Sequence, residues 1–146
     1  MTPQELWAQF TAVHPVEQDG YEAWAFGADP DGLAALVLRG EKTGTSSAYD
    51  LYQLEGEPLP QPGKYDVLLN GREEAVCILR TTKVYVTPFD AVTAGHARKE
   101  GEGDKSLAYW RQVHEAFFTQ CLQEAGLSFT PETRVVCEEF EVAFRP

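Results

Sequence analysis

The sequence predicts an α+β fold, a small β-sheet or barrel flanked by α-helices. Three observations predict it. β-like runs fall at residues 64–69, 75–81, 83–86 and 134–144, beyond the proline-rich break. Helical periodicity is confined to segments outside them. No repeat, low-complexity tract or long linker divides the 146 residues, so residues 1–146 read as a single domain.

The first element is an N-terminal helix from Thr2 to about His14, within residues 1–19. Thr2 can cap it, Pro3 suits the first helical position, and Leu6, Phe10 and Val13 share a face. Tyr21 to Gly27 alternates aromatic and small residues and reads as a short strand. Asp29-Pro30-Asp31-Gly32 is a turn whose aspartates can cap a helix over about 31–39. A further helix is expected from Ser46 to about Leu54, with Tyr49 and Tyr52 on one side. The run Gly56 to Gly63 holds three prolines and is the strongest internal break. Asn70-Gly71 is the dipeptide of a type I′ hairpin between the first two later strands. Thr87-Pro88-Phe89-Asp90 opens a short helix towards His96. Asp104 or Ser106 caps the longest helix, about 105–125, with Leu107, Trp110, His114, Phe117, Cys121 and Ala125 on its apolar stripe and Phe118 and Leu122 widening it. Arg134 to Phe144 is the last strand.

Composition narrows the function. The net charge is −11, with 23 acidic against 12 basic residues, and that field repels polyanions. No duplex DNA partner is expected, because holding a duplex takes a basic face. A nucleic-acid role rests instead on a small local pocket or on a nucleoside-sized ligand. No apolar run approaches the ~20 residues of a membrane helix, and Met1 to Glu5 carries neither a basic n-region nor an apolar h-region, so neither membrane span nor signal peptide is expected. Cys77, Cys121 and Cys137 are odd in number, far apart and set in apolar runs, which reads as reduced thiols of a cytoplasmic protein.

The most informative segment is Gly40-Glu41-Lys42-Thr43-Gly44-Thr45-Ser46-Ser47. A helix ending at Gly40 leaves Lys42 on a tight turn with Thr45, Ser46 and Ser47 close behind. If a second helix starts there, Lys42 and Thr45 share a side and form a seat for an anionic or carbonyl-bearing ligand. The same residues also read as a polar loop followed by an ordinary N-cap. The order of glycine, lysine and hydroxyl is not that of a P-loop. His96 to Asp104 is a second polar cluster, with Glu100, Glu102 and Asp104 as acids; it lacks the register of a calcium hand. Glu100 gains functional weight if it folds back towards Lys42. His114 falls on the apolar stripe of the long helix, and Arg111 is either a surface residue or a carboxylate anchor. Trp24, Phe26, Tyr49 and Tyr85 are candidates for stacking on a base, each with core packing as the alternative. No serine-protease order and no metal-ligand spacing appears, so the reading calls for no cofactor and no metal.

Gly40-x-Lys42-x-x-Thr45-x-Ser47 resembles the signature of the ASCH family, a branch of the PUA-like superfamily. The similarity extends through Tyr21 to Gly27, Thr45 to Tyr52, Glu100 to His114 and Val136 to Val142, covering roughly residues 20–145. The resemblance implies a PUA-like β-barrel with flanking α-helices and a cleft beside the Gly-x-Lys motif. It implies a partner that is RNA or a nucleoside-derived small molecule. Members are linked to RNA binding, to ribonuclease activity and to hydrolysis of the acetyl amide of N4-acetylcytidine. Lys42 and Thr45 match two residues of the amidohydrolase set, and Glu100 matches the third through His96-Ala-x-x-Glu100. Their implied roles are Thr45 as nucleophile, Lys42 as its activator and Glu100 as acid/base, with Gly40, Ser46, Ser47, Tyr49, Trp24 and Arg111 lining the ligand. The chain departs from the family's amidohydrolases in its greater length and in Ser47, where they carry arginine. RNA binding or RNA cleavage without amide hydrolysis is the alternative.

Overall fold

The computed structural model describes residues 1–146. In chain order the elements are α1 (Pro3–Val13), β1 (Glu22–Ala25), α2 (Pro30–Leu38), β2 (Gly44–Ala48), α3 (Tyr49–Glu55), β3 (Tyr65–Leu69), β4 (Ala75–Pro88), α4 (Ala94–Glu100), α5 (Leu107–Glu124) and β5 (Arg134–Phe144), with a single 3-10 turn at Phe89–Ala91 before α4. The five strands form one sheet in the order β1-β3-β4-β5-β2. β1 runs parallel to β3, and the other neighbours are antiparallel.

The helices begin where capping chemistry permits. The Thr2 hydroxyl accepts from the Glu5 amide at 3.1 Å, and Asp29 accepts from Gly32 at 3.1 Å. Thr93 caps α4, and Ser106 rather than Asp104 caps α5. The helices other than α3, which has no fully buried residue, each bury one face. Leu6 and Phe10 of α1 pack on Val67, Ala75 and Ile78; Ala34 and Val37 of α2 pack on Leu68, Cys77, Leu79 and Phe140. On α5 the buried line is Trp110, His114, Phe118 and Leu122, a strict four-residue spacing, while Phe117 is exposed. The stripe expected from the sequence is thus shifted: Phe118 and Leu122, placed at its edge, are buried, while Cys121 and Ala125 are half-buried. Cys77 and Cys137 are buried thiols, and Cys121 is half-buried.

Several expectations are corrected. The sheet is a half-barrel, since β1 and β2 are edges that do not pair with each other. The gap between them is where a cleft opens, lined by residues of both. The runs at 75–81 and 83–86 are one strand, β4, with a register shift between Thr81 and Lys83 opposite β5. The Asn70-Gly71 hairpin is not a two-residue turn, because Leu69 pairs with Ala75. The Asn70 side chain accepts from the amides of Arg72 and Glu74 and holds a longer loop. The short helix foreseen from Thr87 to His96 is in fact the end of β4, the 3-10 turn and the start of α4.

The correction that matters for function concerns the motif. Gly44 to Ala48 is a strand, and the helix starts only at Tyr49. The residues Gly44-Thr45-Ser46-Ser47 combine small size with hydroxyls, and β5 supplies the ladder that fixes them as extended chain. On a strand, successive side chains point to opposite faces. Ser46 therefore faces one way, and Thr45 and Ser47 the other.

Candidate functional site

One face of β2 meets a buried polar cluster. Glu100, at the end of α4, is fully buried, as is Lys42 just before β2. The Lys42 ammonium lies 3.5 Å from Glu100 Oε1 and 3.0 Å from Glu102 Oε2, and donates to the Glu100 carbonyl oxygen at 3.3 Å. It thus makes two hydrogen bonds and a further ion-pair contact. It also sits 5.1 Å from the centre of the Phe26 ring. Glu100 Oε2 accepts from Ser46 Oγ and from Trp110 Nε1, both at 2.5 Å, and lies 3.0 Å from His96 Nε2. His114, stacked on Trp110 at 4.3 Å, brings Nε2 to 3.5 Å from Glu100 Oε1. Burial acts to raise the Glu100 pKa, but the bonds from His114 and His96 and the charge of Lys42 hold it well below the ordinary carboxylate range. For His114, burial acts downward, and the bond and charge of Glu100 raise it above its ordinary value.

Ser46, His96 and Glu100 superficially resemble a catalytic triad. A relay needs the hydroxyl on one ring nitrogen and the carboxylate on the other. Here Ser46 Oγ (2.8 Å) and Glu100 Oε2 (3.0 Å) both approach Nε2, while Nδ1 is buried without a partner. The cluster is an ion-paired brace and not a relay. Glu100, Glu102 and His114 bring ligand atoms within 4.8 Å of one another. The Lys42 ammonium already stands against both carboxylates as the chain's own cation.

The opposite face of β2 lines a cleft of about 660 Å³. Trp24, Phe26 and Tyr52 supply its aromatic wall, and Thr45, Ser47, Asp66, Thr81 and Glu138 its polar groups. Lys64 is its one basic residue. Trp24 and Phe26 meet edge to face at 5.0 Å, and the Trp24 indole donates to Asp66 Oδ2 at 3.2 Å. Ser47 and Tyr52 share a hydroxyl–hydroxyl bond of 2.8 Å. Thr45 Oγ1 makes no hydrogen bond within the chain. Directly across the ladder from Thr45 stands Glu138, whose Oε1 accepts from the Thr81 hydroxyl at 3.4 Å. Burial pushes the Glu138 carboxyl up to about 7; the Asp66 charge adds to this, while Thr81 and Lys64 oppose it. Burial raises Asp66 as well, against the Trp24 N–H and the Lys64 charge.

The candidates from the sequence thus separate. Glu100 does fold back to Lys42, a point the sequence left open, and Glu102 joins them. Thr45 faces the cleft with Trp24 and Ser47. Ser46 bonds to Glu100 on the other face. Gly40 borders a different groove of about 600 Å³, beside the end of α2 and the tail of β5. Tyr49 packs under Arg134 at 4.1 Å, and Arg111 donates to the Asp90 carbonyl at 3.2 Å; neither lines the cleft. Glu138 and Asp66 are the residues sequence reasoning missed. Among the basic residues, Lys99 pairs with Glu139 at 2.9 Å and Arg80 with Glu141 at 3.4 Å.

The chain matches the family model described as ASCH domain over residues 22–143. Two solved structures are similar over nearly the whole chain. An ASCH domain from Lactobacillus crispatus JV V101 is 33% identical, with a TM-score of 0.92 over 97% of this chain and 94% of that one. Protein EF3133 from Enterococcus faecalis V583 is 35% identical, with a TM-score of 0.90 over 97% of this chain and 88% of that one. No curated protein matches.

Proposed function

The chain belongs to the ASCH domain family, and from that premise we propose that its PUA-like half-barrel binds a nucleoside-type ligand in the cleft beside the Gly40-x-Lys42-x-x-Thr45 motif and hydrolyses an acyl amide on it, N4-acetylcytidine being the first compound to try. The observation that carries this reading is the Thr45 hydroxyl, unpartnered and open to a cleft of about 660 Å³. That volume falls within the usual range of small-molecule pockets. Aromatic edges and faces at Trp24, Phe26 and Tyr52 suit a base. The cleft holds more carboxyl groups than cations, which favours a neutral ligand with hydrogen-bond donors over a phosphate chain.

In this reading Thr45 attacks the acyl carbonyl. The hydrogen-bonded hydroxyls of Ser47 and Tyr52 line the same cleft, and one of the two has a proton free to donate to the carbonyl oxygen. Lys42 and Glu100 act as the brace that fixes β2, and so the direction in which Thr45 points.

The test is turnover of N4-acetylcytidine followed by chromatography, with Thr45→Val as the isosteric control. Turnover in the wild type that falls by at least about 100-fold in the variant supports the reading. Undiminished turnover in Thr45→Val removes threonine as nucleophile. A folded wild type with no turnover removes the amidohydrolase reading, and single-stranded RNA becomes the ligand to assay for binding and cleavage.

A further inference from the structure

A threonine hydroxyl is a weak nucleophile and needs a base, and Lys42 and Glu100 are engaged with each other and with their neighbours. Lys42 Nζ donates to the Glu102 carboxylate and to the Glu100 carbonyl oxygen, and Glu100 Oε2 is bonded to Ser46, Trp110 and His96. The concave side offers one carboxyl opposite Thr45. Directly opposed residues of an antiparallel pair carry Cβ atoms about 4.5–5.5 Å apart on the same face. Thr45 and Glu138 are such a pair, and both line the cleft. Glu138 is 9% exposed; Thr81 holds its Oε1, and its Oε2 has no partner in the chain.

We propose, on the hydrolytic reading above, that Glu138 is the proton-transfer residue for Thr45. As Thr45 Oγ1 bonds to the acyl carbon, its proton passes to the Glu138 carboxylate. Collapse of the tetrahedral adduct breaks the carbon–nitrogen bond, and the leaving exocyclic nitrogen takes that proton from Glu138. A water molecule then attacks the threonyl ester, giving its proton to Glu138. The ester carbon–oxygen bond breaks, and Glu138 returns the proton to Thr45 Oγ1. The products are the free amine and the carboxylic acid, and both residues return to their starting states.

A base that must accept and return a proton at neutral pH works best with a pKa near that pH, and burial places Glu138 there, at about 7. The other titratable groups on this cleft are Asp66, Lys64, Glu22, Tyr52, Glu55 and Glu57. Asp66 raises the Glu138 pKa and Lys64 lowers it. Glu138 raises that of Tyr52, after burial as the larger cause, which keeps that phenol protonated and able to donate.

The test uses p-nitrophenyl acetate as acyl donor, so that it does not depend on the nucleoside. Acetylation of Thr45 is read by peptide mass spectrometry across pH in the wild type, Glu138→Gln and Glu138→Asp. The expected result is wild-type acetylation that rises with pH through about 7, falls by about 100-fold or more in Glu138→Gln, and recovers in part with a displaced midpoint in Glu138→Asp. Equal acetylation of wild type and Glu138→Gln, or no acetylation of Thr45 in the folded wild type, overturns the proposal. Thr45 acetylation that depends on Glu138 without turnover of N4-acetylcytidine sinks the choice of substrate alone.

Discussion

At the scale of single residues, Lys42 is a motif lysine engaged by the chain's own groups. It is fully buried between Glu100 and Glu102 and lies over Phe26. Removing one partner of a buried ion pair typically costs about 3–5 kcal/mol, because the other charge stays buried. Lys42→Met is expected to lose stability on that order in urea unfolding, and Lys42→Met with Glu100→Gln to recover part of it. If Lys42→Met unfolds at the wild-type midpoint, the brace carries no energy. Loss of activity in a Lys42 variant therefore does not identify a base, which is why Thr45→Val is the sharper control. The family resemblance pointed to Lys42 and Glu100 as site residues, but their contact was not legible in sequence. Glu138 was not legible either, although a signal existed. Glu138 and Glu139 are adjacent in a strand, so one of them must face inward. Glu139 takes the outer face and pairs with Lys99 at 2.9 Å, which leaves Glu138 in the cleft.

At the scale of elements, the brace depends on how α4 ends. Gly101 is its C-terminal cap, with φ +71, and a Cβ there would stand 2.1 Å from the Glu41 carbonyl oxygen. Gly40, at the end of α2, has φ +77 but nothing within 4 Å of a built Cβ. Gly40→Ala should therefore cost only the left-handed penalty, about 1 kcal/mol. Gly101→Ala should cost roughly 2–4 kcal/mol, as backbone strain adds to overpacking. It should also reduce turnover by pushing Glu100 and Glu102 off Lys42. Thermal unfolding of the two variants checks the ranking, and equal losses would show that the contact between α4 and the Glu41–Lys42 segment is not tight. Helix caps were legible here because Thr2, Asp29 and Ser106 are short-range chemistry. The β2 assignment was not. Gly44-Thr45-Ser46-Ser47 has no apolar alternation of its own, and its strand is imposed by hydrogen bonds to β5 some ninety residues later. That misreading turned on helical spacing between Lys42 and Thr45, when Thr45 sits on a strand and Lys42 just before it.

At the scale of the whole molecule, charge and burial set two expectations. With a net charge of −11 and Lys42, Lys99 and Arg80 tied into ion pairs, a bound RNA strand would displace few counterions. Cytidine binding followed calorimetrically at 50 and 200 mM salt should change little, whereas single-stranded RNA held through several phosphates would lose affinity steeply. The pH dependence of stability divides by sign. Glu100, lowered in the fold, stabilises above its unfolded value of 4.5, and that contribution disappears as pH falls through its folded value. His114, raised in the fold, stabilises below 6.5 and loses that contribution as pH rises through its folded value. Glu138 is the group that works against the fold near neutrality. Its carboxyl moves from 4.5 to about 7, so unfolding releases a proton between those values and stability falls as pH rises across that window. By linkage the penalty at pH 8 is roughly 3 kcal/mol. Glu138→Gln, which cannot ionise, should therefore melt several degrees above the wild type at pH 8 and close to it at pH 4.5. A variant that gains stability while losing Thr45 acetylation would mark Glu138 as a residue held against its own electrostatic preference, the pattern expected of a group kept for chemistry. Equal melting temperatures at pH 8 would mean that the cleft hydrates the carboxylate and that no such cost exists.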